Sequence, residues 1–277
     1  MSEYNPERAQ QERIEAERME YKIISRRVLN DLFKDVLDAR ELERRLMLVD
    51  RVKFVTHDQM DVIAKSNPQD AGADGLIQYE VSESEVRRLP IVLHSSSRVE
   101  TLHTLVHEGT HLMTPESVLV TNIIAEPDEE TFSDYVGGFR FERNRKTKQI
   151  DLMSIHKDTP ARFLFWESVT DWIAELGLES EMSDQEKEEL AMSGYFERHW
   201  IDYLMRKSPD APGLMQAIKE SYAAGSEDSL RWCLQKQLDV QDDHFYDALI
   251  KIIGRDRTDE KRVDDWMQVV DDAFKSS

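Results

Sequence analysis

Apolar positions in the first fifty residues recur at helical steps. Ile14, Tyr21, Ile24, Val28, Leu32 and Leu46 are spaced mostly by three, four and seven, and no Gly or further Pro interrupts the stretch after Pro6. This predicts helix over residues 6–47. Asn5 before Pro6 fits an N-cap with proline in the first turn. The part up to about Glu20 is too charged for burial and predicts a projecting or frayed start. The period then changes. Arg51–Thr56 (RVKFVT), Gly75–Val81 (GLIQYEV) and Leu89–His94 (LPIVLH) are short runs rich in aliphatic and β-branched residues, which predict strands. A polar stretch separates the last two, so they read as neighbours in a hairpin. SNPQDAGADG, just before them, reads as a loop.

Ser95–Ser97 offer N-caps for a helix from about Arg98 to Met113, ended by Pro115. Residues 122–134 are acidic and loop-like. Phe139–Asn144 and Gln149–Ser154 flank RKTK as a second hairpin. From Thr159 the pattern is helical over 160–177, 183–207, 212–223, 226–240, 241–254 and 259–274, with turn signals at Gly177, SPDAPG, Gly225 and Gly254. The fold class expected is α+β, with a small sheet in the first half and a mostly helical second half. The expected division is a helical extension over 1–50, a core over 51–207 and a helical subdomain over 208–277.

Charge narrows the partners. The 277 residues carry 36 Lys+Arg against 56 Asp+Glu, a net charge of −20. Binding to a nucleic-acid backbone or an anionic membrane needs clustered cations, so both are disfavoured; a basic or neutral peptide is the better match. The single cysteine, Cys233, permits no intrachain disulfide. The charged N-terminus has no apolar signal region, and no run of about 18 apolar residues predicts a membrane span. A cytoplasmic location is the expectation, with non-classical export left open.

The informative chemistry is His107-Glu108-Gly109-Thr110-His111. Two histidines four apart on a helix project from one face, one turn apart, and two imidazoles so placed can ligate one Zn²⁺. Glu108, one position on, can reach a metal-activated water as general base. With eight histidines in the chain, chance gives this pattern roughly 2% of the time, so context decides. The motif falls in a predicted helix after an apolar strand, with Leu102, Leu105, Val106 and Leu112 on another face. A catalytic zinc takes three protein ligands and keeps one position open. Downstream, Glu167 and Asp171 are four apart in Trp166-Glu167-Ser168-Val169-Thr170-Asp171-Trp172, within an aromatic-rich helix. Two like charges there repel and cost desolvation, which a cation between them relieves. Glu167 is the candidate third ligand. Asp171 is the candidate acceptor for the second nitrogen of a ligating histidine. His103, one turn before His107, reads as a supporting or exposed residue, since using it as a ligand would misplace Glu108.

HExxH followed on a later helix by ExxTD resembles the zincin metallopeptidases, specifically the gluzincin branch, over residues about 89–175. The resemblance implies one zinc held by His107, His111 and Glu167, with Glu108 as catalytic base and Asp171 behind the ligands. It implies hydrolysis of peptide bonds in a peptide or protein substrate. It also implies a strand before the active-site helix, Leu89–His94 or Gly75–Val81, that binds substrate by edge pairing. The family often adds a Tyr or His donor to the developing oxyanion; His156, Tyr195, His199 and Tyr203 are the candidates. The metzincin continuation is absent, since residues 112–117 read LMTPES. A catalytically silent zincin-like binding or regulatory protein is the alternative, with the N-terminal helix or the C-terminal helical region as partner surfaces. The tryptophans at 166, 172, 200, 232 and 266 read as core or interface residues.

Overall fold

The computed structural model describes residues 5–66, 74–81, 86–115, 118–120, 129–133, 140–144, 150–153, 159–191, 198–239, 243–255, 259 and 261–275. The chain opens with α1 (Pro6–Phe33), where the Asn5 side chain accepts from the backbone N–H groups of Glu7 and Arg8 as the N-cap. The exposed start of α1 carries pairs such as Arg8–Glu12 and Arg13–Glu17 one turn apart. From Tyr21 on, its apolar face is buried. The helix does not continue to residue 47. It ends at Phe33 and restarts as α2 (Ala39–Val49), because Asp38 caps the new helix through hydrogen bonds of 3.0 Å from the N–H groups of Arg40 and Glu41. The break folds α2 back on α1, where Arg26 bridges Glu43 and Asp50.

β1 (Lys53–Val55) and α3 (His57–Ser66) follow, then β2 (Gly75–Val81) and β3 (Val86–Leu93). β3 is the middle of a three-stranded sheet. β1 joins it in parallel with Lys53 opposite Ile91, and β2 joins it antiparallel with Gly75 opposite Val92. The hairpin expected of the last two strands is present, and β2 is an edge. The segment that carries His107 and His111 forms α4 (Arg98–His111). A second, antiparallel sheet is built in order from β4 (Val118–Val120), β5 (Glu129–Ser133), β6 (Arg140–Asn144) and β7 (Ile150–Met153). The expected β6–β7 hairpin is there. The acidic run read as a loop instead contributes β5, because its backbone pairs on both sides, with β4 and with β6.

The remainder is helical: α5 (Thr159–Leu178), a 3-10 turn at Glu179–Glu181, α6 (Asp184–Ala191), α7 (Arg198–Lys207), α8 (Ala211–Ala224), α9 (Asp228–Leu238), α10 (His244–Ile253) and α11 (Lys261–Lys275). Of the helix expected over 183–207, Asp184–Ala191 and Arg198–Lys207 are helical, and residues 192–197 lie outside the described residues. The class is α+β with helix dominant. One apolar cluster runs from Tyr21 on α1 to Val270 on α11, through Leu102 and Leu105 of α4 and Phe165 and Val169 of α5. Among the described residues no helix is long and apolar enough to cross a membrane. Trp166, Trp172, Trp200 and Trp266 are in the core, whereas Trp232 is 63% exposed.

Candidate metal centre

α4 is a central helix, and its sequence explains how it is held. Ser97 caps the start by accepting from the N–H of Glu100. Between Val99 and Thr110 every residue but Glu100 and Thr104 is buried. Gly109 has no side chain because Leu29 of α1 fills its place: a Cβ there would lie 2.5 Å from Leu29 Cδ1. At the other end, buried Arg88 of β3 donates to the carbonyls of His111 (3.2 Å), Leu112 (3.4 Å) and Thr114 (2.9 Å), and to the Thr114 hydroxyl (2.8 Å). Arg45 of α2 donates to the Met113 carbonyl. Two guanidinium groups thus satisfy the carbonyl of His111 and those of the turn that follows, and oppose the negative end of the helix dipole.

α5 crosses α4 with Glu167 and Asp171 facing it. Its register is locked from behind by Glu227, just before α9. The Glu227 carboxylate accepts from Trp166 Nε1 (3.1 Å), the Tyr246 hydroxyl (2.8 Å), Arg231 (3.0 Å) and Arg162. Tyr222 donates to the Trp166 carbonyl at 3.0 Å. Trp166 is therefore fixed on one side of α5 and Glu167, the next residue, on the other.

The three candidate ligands meet. His107 Nε2 lies 3.2 Å from Glu167 Oε2, His111 Nε2 lies 3.4 Å from Glu167 Oε1, and the two Nε2 atoms are 3.2 Å apart. Nitrogen and oxygen donors held roughly 2.0–2.1 Å from one tetrahedral ion stand roughly 3.3–3.4 Å from each other, the edge of the tetrahedron. The two Nε2 atoms stand near that edge from each other, and each stands near it from one of the two Glu167 oxygens, so this buried group could hold a metal ion. His107 Nδ1 lies 3.3 Å from Asp171 Oδ1. Donation from Nδ1 leaves the Nε2 lone pair directed at the other two donors.

The electrostatics of the metal-free chain point the same way. Burial alone would lower the His107 pKa, but hydrogen bonds to Asp171 and Glu167 and the charges of Glu167 and Glu108 outweigh it and raise it well above the usual value. Burial would raise that of Glu167, yet His111 and His107 pull it below the usual carboxylate range. The pocket keeps its carboxylate ionised and favours positive charge beside it, the condition a cation meets. His103 is buried rather than exposed. Its Nε2 lies 3.3 Å from the Asp171 carbonyl and 3.4 Å from Asp171 Oδ1. Burial is the main reason that its pKa falls to about 4, so it stays neutral.

Glu108 is not part of the ligand group. Its carboxylate lies against the first residue of β2: a Cβ on Gly75 would be 2.7 Å from Glu108 Oε1 and 2.5 Å from Thr104 Cγ2. The acid next to the histidines is thus turned towards the sheet edge. Of the oxyanion candidates, Tyr203 donates to Asp271 Oδ1 of α11 (2.8 Å) and His199 is exposed, while His156 and Tyr195 lie outside the described residues.

Sequence reasoning missed Arg198, Arg88 and Glu227. Arg198 is 1% exposed, and its Nη1 lies 3.4 Å from Asp171 Oδ2. No spacing marks these residues, because each acts on an element distant in the chain. The one signal was charge inside apolar helical pattern, such as Arg198 beside Trp200 and Ile201. No family model, curated protein or solved structure matches the chain.

Proposed function

We propose that this chain is a zinc-dependent metallopeptidase with a zincin-like site. The observation that carries the reading is the convergence of His107 Nε2, His111 Nε2 and the Glu167 carboxylate, each imidazole 3.2–3.4 Å from one carboxylate oxygen, with Glu108 adjacent and turned to an edge strand. Two imidazoles and one carboxylate are a donor set that suits zinc and leaves a fourth position for substrate chemistry. When bound, zinc would polarise the scissile carbonyl and lower the pKa of water.

The chain's own groups supply the rest. Asp171 accepts from His107 Nδ1–H and fixes the ring. Glu108 takes the proton of the water whose oxygen attacks the carbonyl carbon, then delivers it to the amide nitrogen as the C–N bond breaks. β2, an edge strand of its sheet, offers backbone N–H and C=O groups along which an extended peptide can pair. The net charge of −20 favours a basic or neutral peptide.

Metal analysis of freshly purified protein should find about one zinc per chain, lost in His107→Ala. Glu108→Gln should keep the zinc and abolish peptide hydrolysis. Hydrolysis that persists in Glu108→Gln overturns the mechanism, and a chain that takes up no zinc overturns the whole reading.

A further inference from the structure

We infer that Arg198 is a positioning residue for the metal centre, acting on His107 only through Asp171. The inference rests on the metal reading above. Arg198 opens α7, 27 residues after Asp171, and is buried at 1% exposure. A guanidinium cannot shed its charge to relieve such burial, so what surrounds it matters. Nη2 donates to the Leu190 carbonyl at the end of α6 (2.6 Å), Nε lies 2.9 Å from Glu175 Oε2, and Nη1 lies 3.4 Å from Asp171 Oδ2. Two of the three contacts anchor the fork to neighbouring elements. The third is the one that faces the site.

The Asp171 carboxylate is divided between two kinds of partner. Oδ1 faces the imidazoles, 3.3 Å from His107 Nδ1 and 3.4 Å from His103 Nε2. Oδ2 faces Arg198. A carboxylate held by one oxygen alone can rotate about its last torsion; held by both, it presents Oδ1 to His107 in one orientation. Arg198 is also a full positive charge against a group containing Asp171, Glu167 and Glu108, all buried. It therefore offsets part of the repulsion that keeping Asp171 ionised one turn from Glu167 would cost. The geometry forms a chain: Leu190 and Glu175 hold Arg198, Arg198 holds Asp171, Asp171 holds His107, and the Nε2 of His107 faces the ligand group.

Intervention at one link should pass through the next and nowhere else. The test is a double-mutant cycle on the full-length chain, reading Zn²⁺ affinity by competition with a chelator, with circular dichroism to confirm folding. Arg198→Gln should weaken zinc binding about 10–100-fold, the usual effect of losing a group behind a ligand. Asp171→Asn should do the same. The double variant should bind no more weakly than Asp171→Asn alone. Glu175→Gln, which loosens the anchor without touching Asp171, should lower thermal stability and leave zinc affinity within about twofold, the spread of independent sites. Where Arg198→Gln does not fold, Arg198→Lys serves in the same cycle, with a smaller loss that vanishes in the Asp171→Asn background. Unchanged zinc affinity in a folded Arg198 variant, or a loss that adds to that of Asp171→Asn, overturns the role of Arg198 while leaving the metal site intact. A wild-type chain that binds no zinc overturns the metal reading and this role with it.

Discussion

Gly75→Ala isolates the proposed base from the metal. The added methyl would lie 2.7 Å from Glu108 Oε1 and 2.5 Å from Thr104 Cγ2. Ordinary contact is about 3.5 Å, so these atoms must move by roughly 0.8 and 1.0 Å. The Glu108 carboxylate is the end of a flexible side chain and can swing aside. The backbone asks for little, since Gly75 is not at positive φ. Overpacking costs about 1–3 kcal/mol, and replacing glycine returns about 0.4–1 kcal/mol through the unfolded chain. A net loss of about 1–2 kcal/mol lowers Tm by roughly 2–6 °C at this chain length. The functional loss should be larger. A reacting group displaced by about 1 Å costs about 100-fold, or about 2.7 kcal/mol of transition-state stabilisation. The assay pairs zinc content with kcat/KM on a fluorogenic peptide library. The expected variant is folded, carries a full zinc complement and is about 100-fold slower. Full turnover in a zinc-loaded variant would refute the placement of Glu108 as base. Loss of zinc would show that the methyl disturbs the ligands instead.

Two further expectations follow from buried charge. In the metal-free chain the His107 pKa is raised, so its contribution to stability is complete below the unfolded value of about 6.5 and is lost as pH rises through the folded value. Zinc must displace that proton, so its affinity should climb with pH across the same window; the Tm difference between zinc-loaded and metal-free protein should widen from pH 6 to 9, and a constant difference would contradict the linkage. Arg88→Met leaves three carbonyls at the end of α4 without their donor and should cost about 3–5 kcal/mol, at about 1–3 kcal/mol for each buried acceptor left unsatisfied; differential scanning calorimetry should show a Tm fall of roughly 6–15 °C, and a fall of under 2 °C would mean that Arg45 alone holds the helix end.

The fold was legible where one element could be read by its own period. α4, α5 and the β2–β3 hairpin stand where alternation and helical spacing place them, because each buries a face that its own residues define. The misreadings fall where a boundary depends on a cap or on a partner strand. Nothing in residues 34–38 breaks a helix by propensity; Asp38 does so by capping the next one, and an aspartate in a charged helix gives no warning of that. β5 was hidden because its composition is acidic while its backbone is satisfied on both sides by neighbouring strands. Pairing across a sheet is decided by distant segments that a local window does not contain.

The same distinction runs through the candidate centre. His107, His111, Glu167 and Asp171 were readable because helical spacing alone puts each pair on one face, so the sequence distance encodes the spatial one. What brings the two pairs together is not encoded that way. The packing of α4 on α5 depends on Leu29 filling the space beside Gly109, on Glu227 gathering Trp166, Tyr246, Arg231 and Arg162, and on Arg88 and Arg198 spending their charge inside the core. A buried arginine costs several kcal/mol unless its fork is matched. Arg88 donates through both terminal nitrogens to the carbonyls at the end of α4, and Arg198 donates to Leu190 and pairs with Glu175 and Asp171. Local spacing therefore names the groups that could meet a metal, while buried cations far along the chain fix how those groups are aimed. Substitution of His107, His111 or Glu167 should remove zinc; substitution of Asp171 or Arg198 behind them should loosen it by degrees.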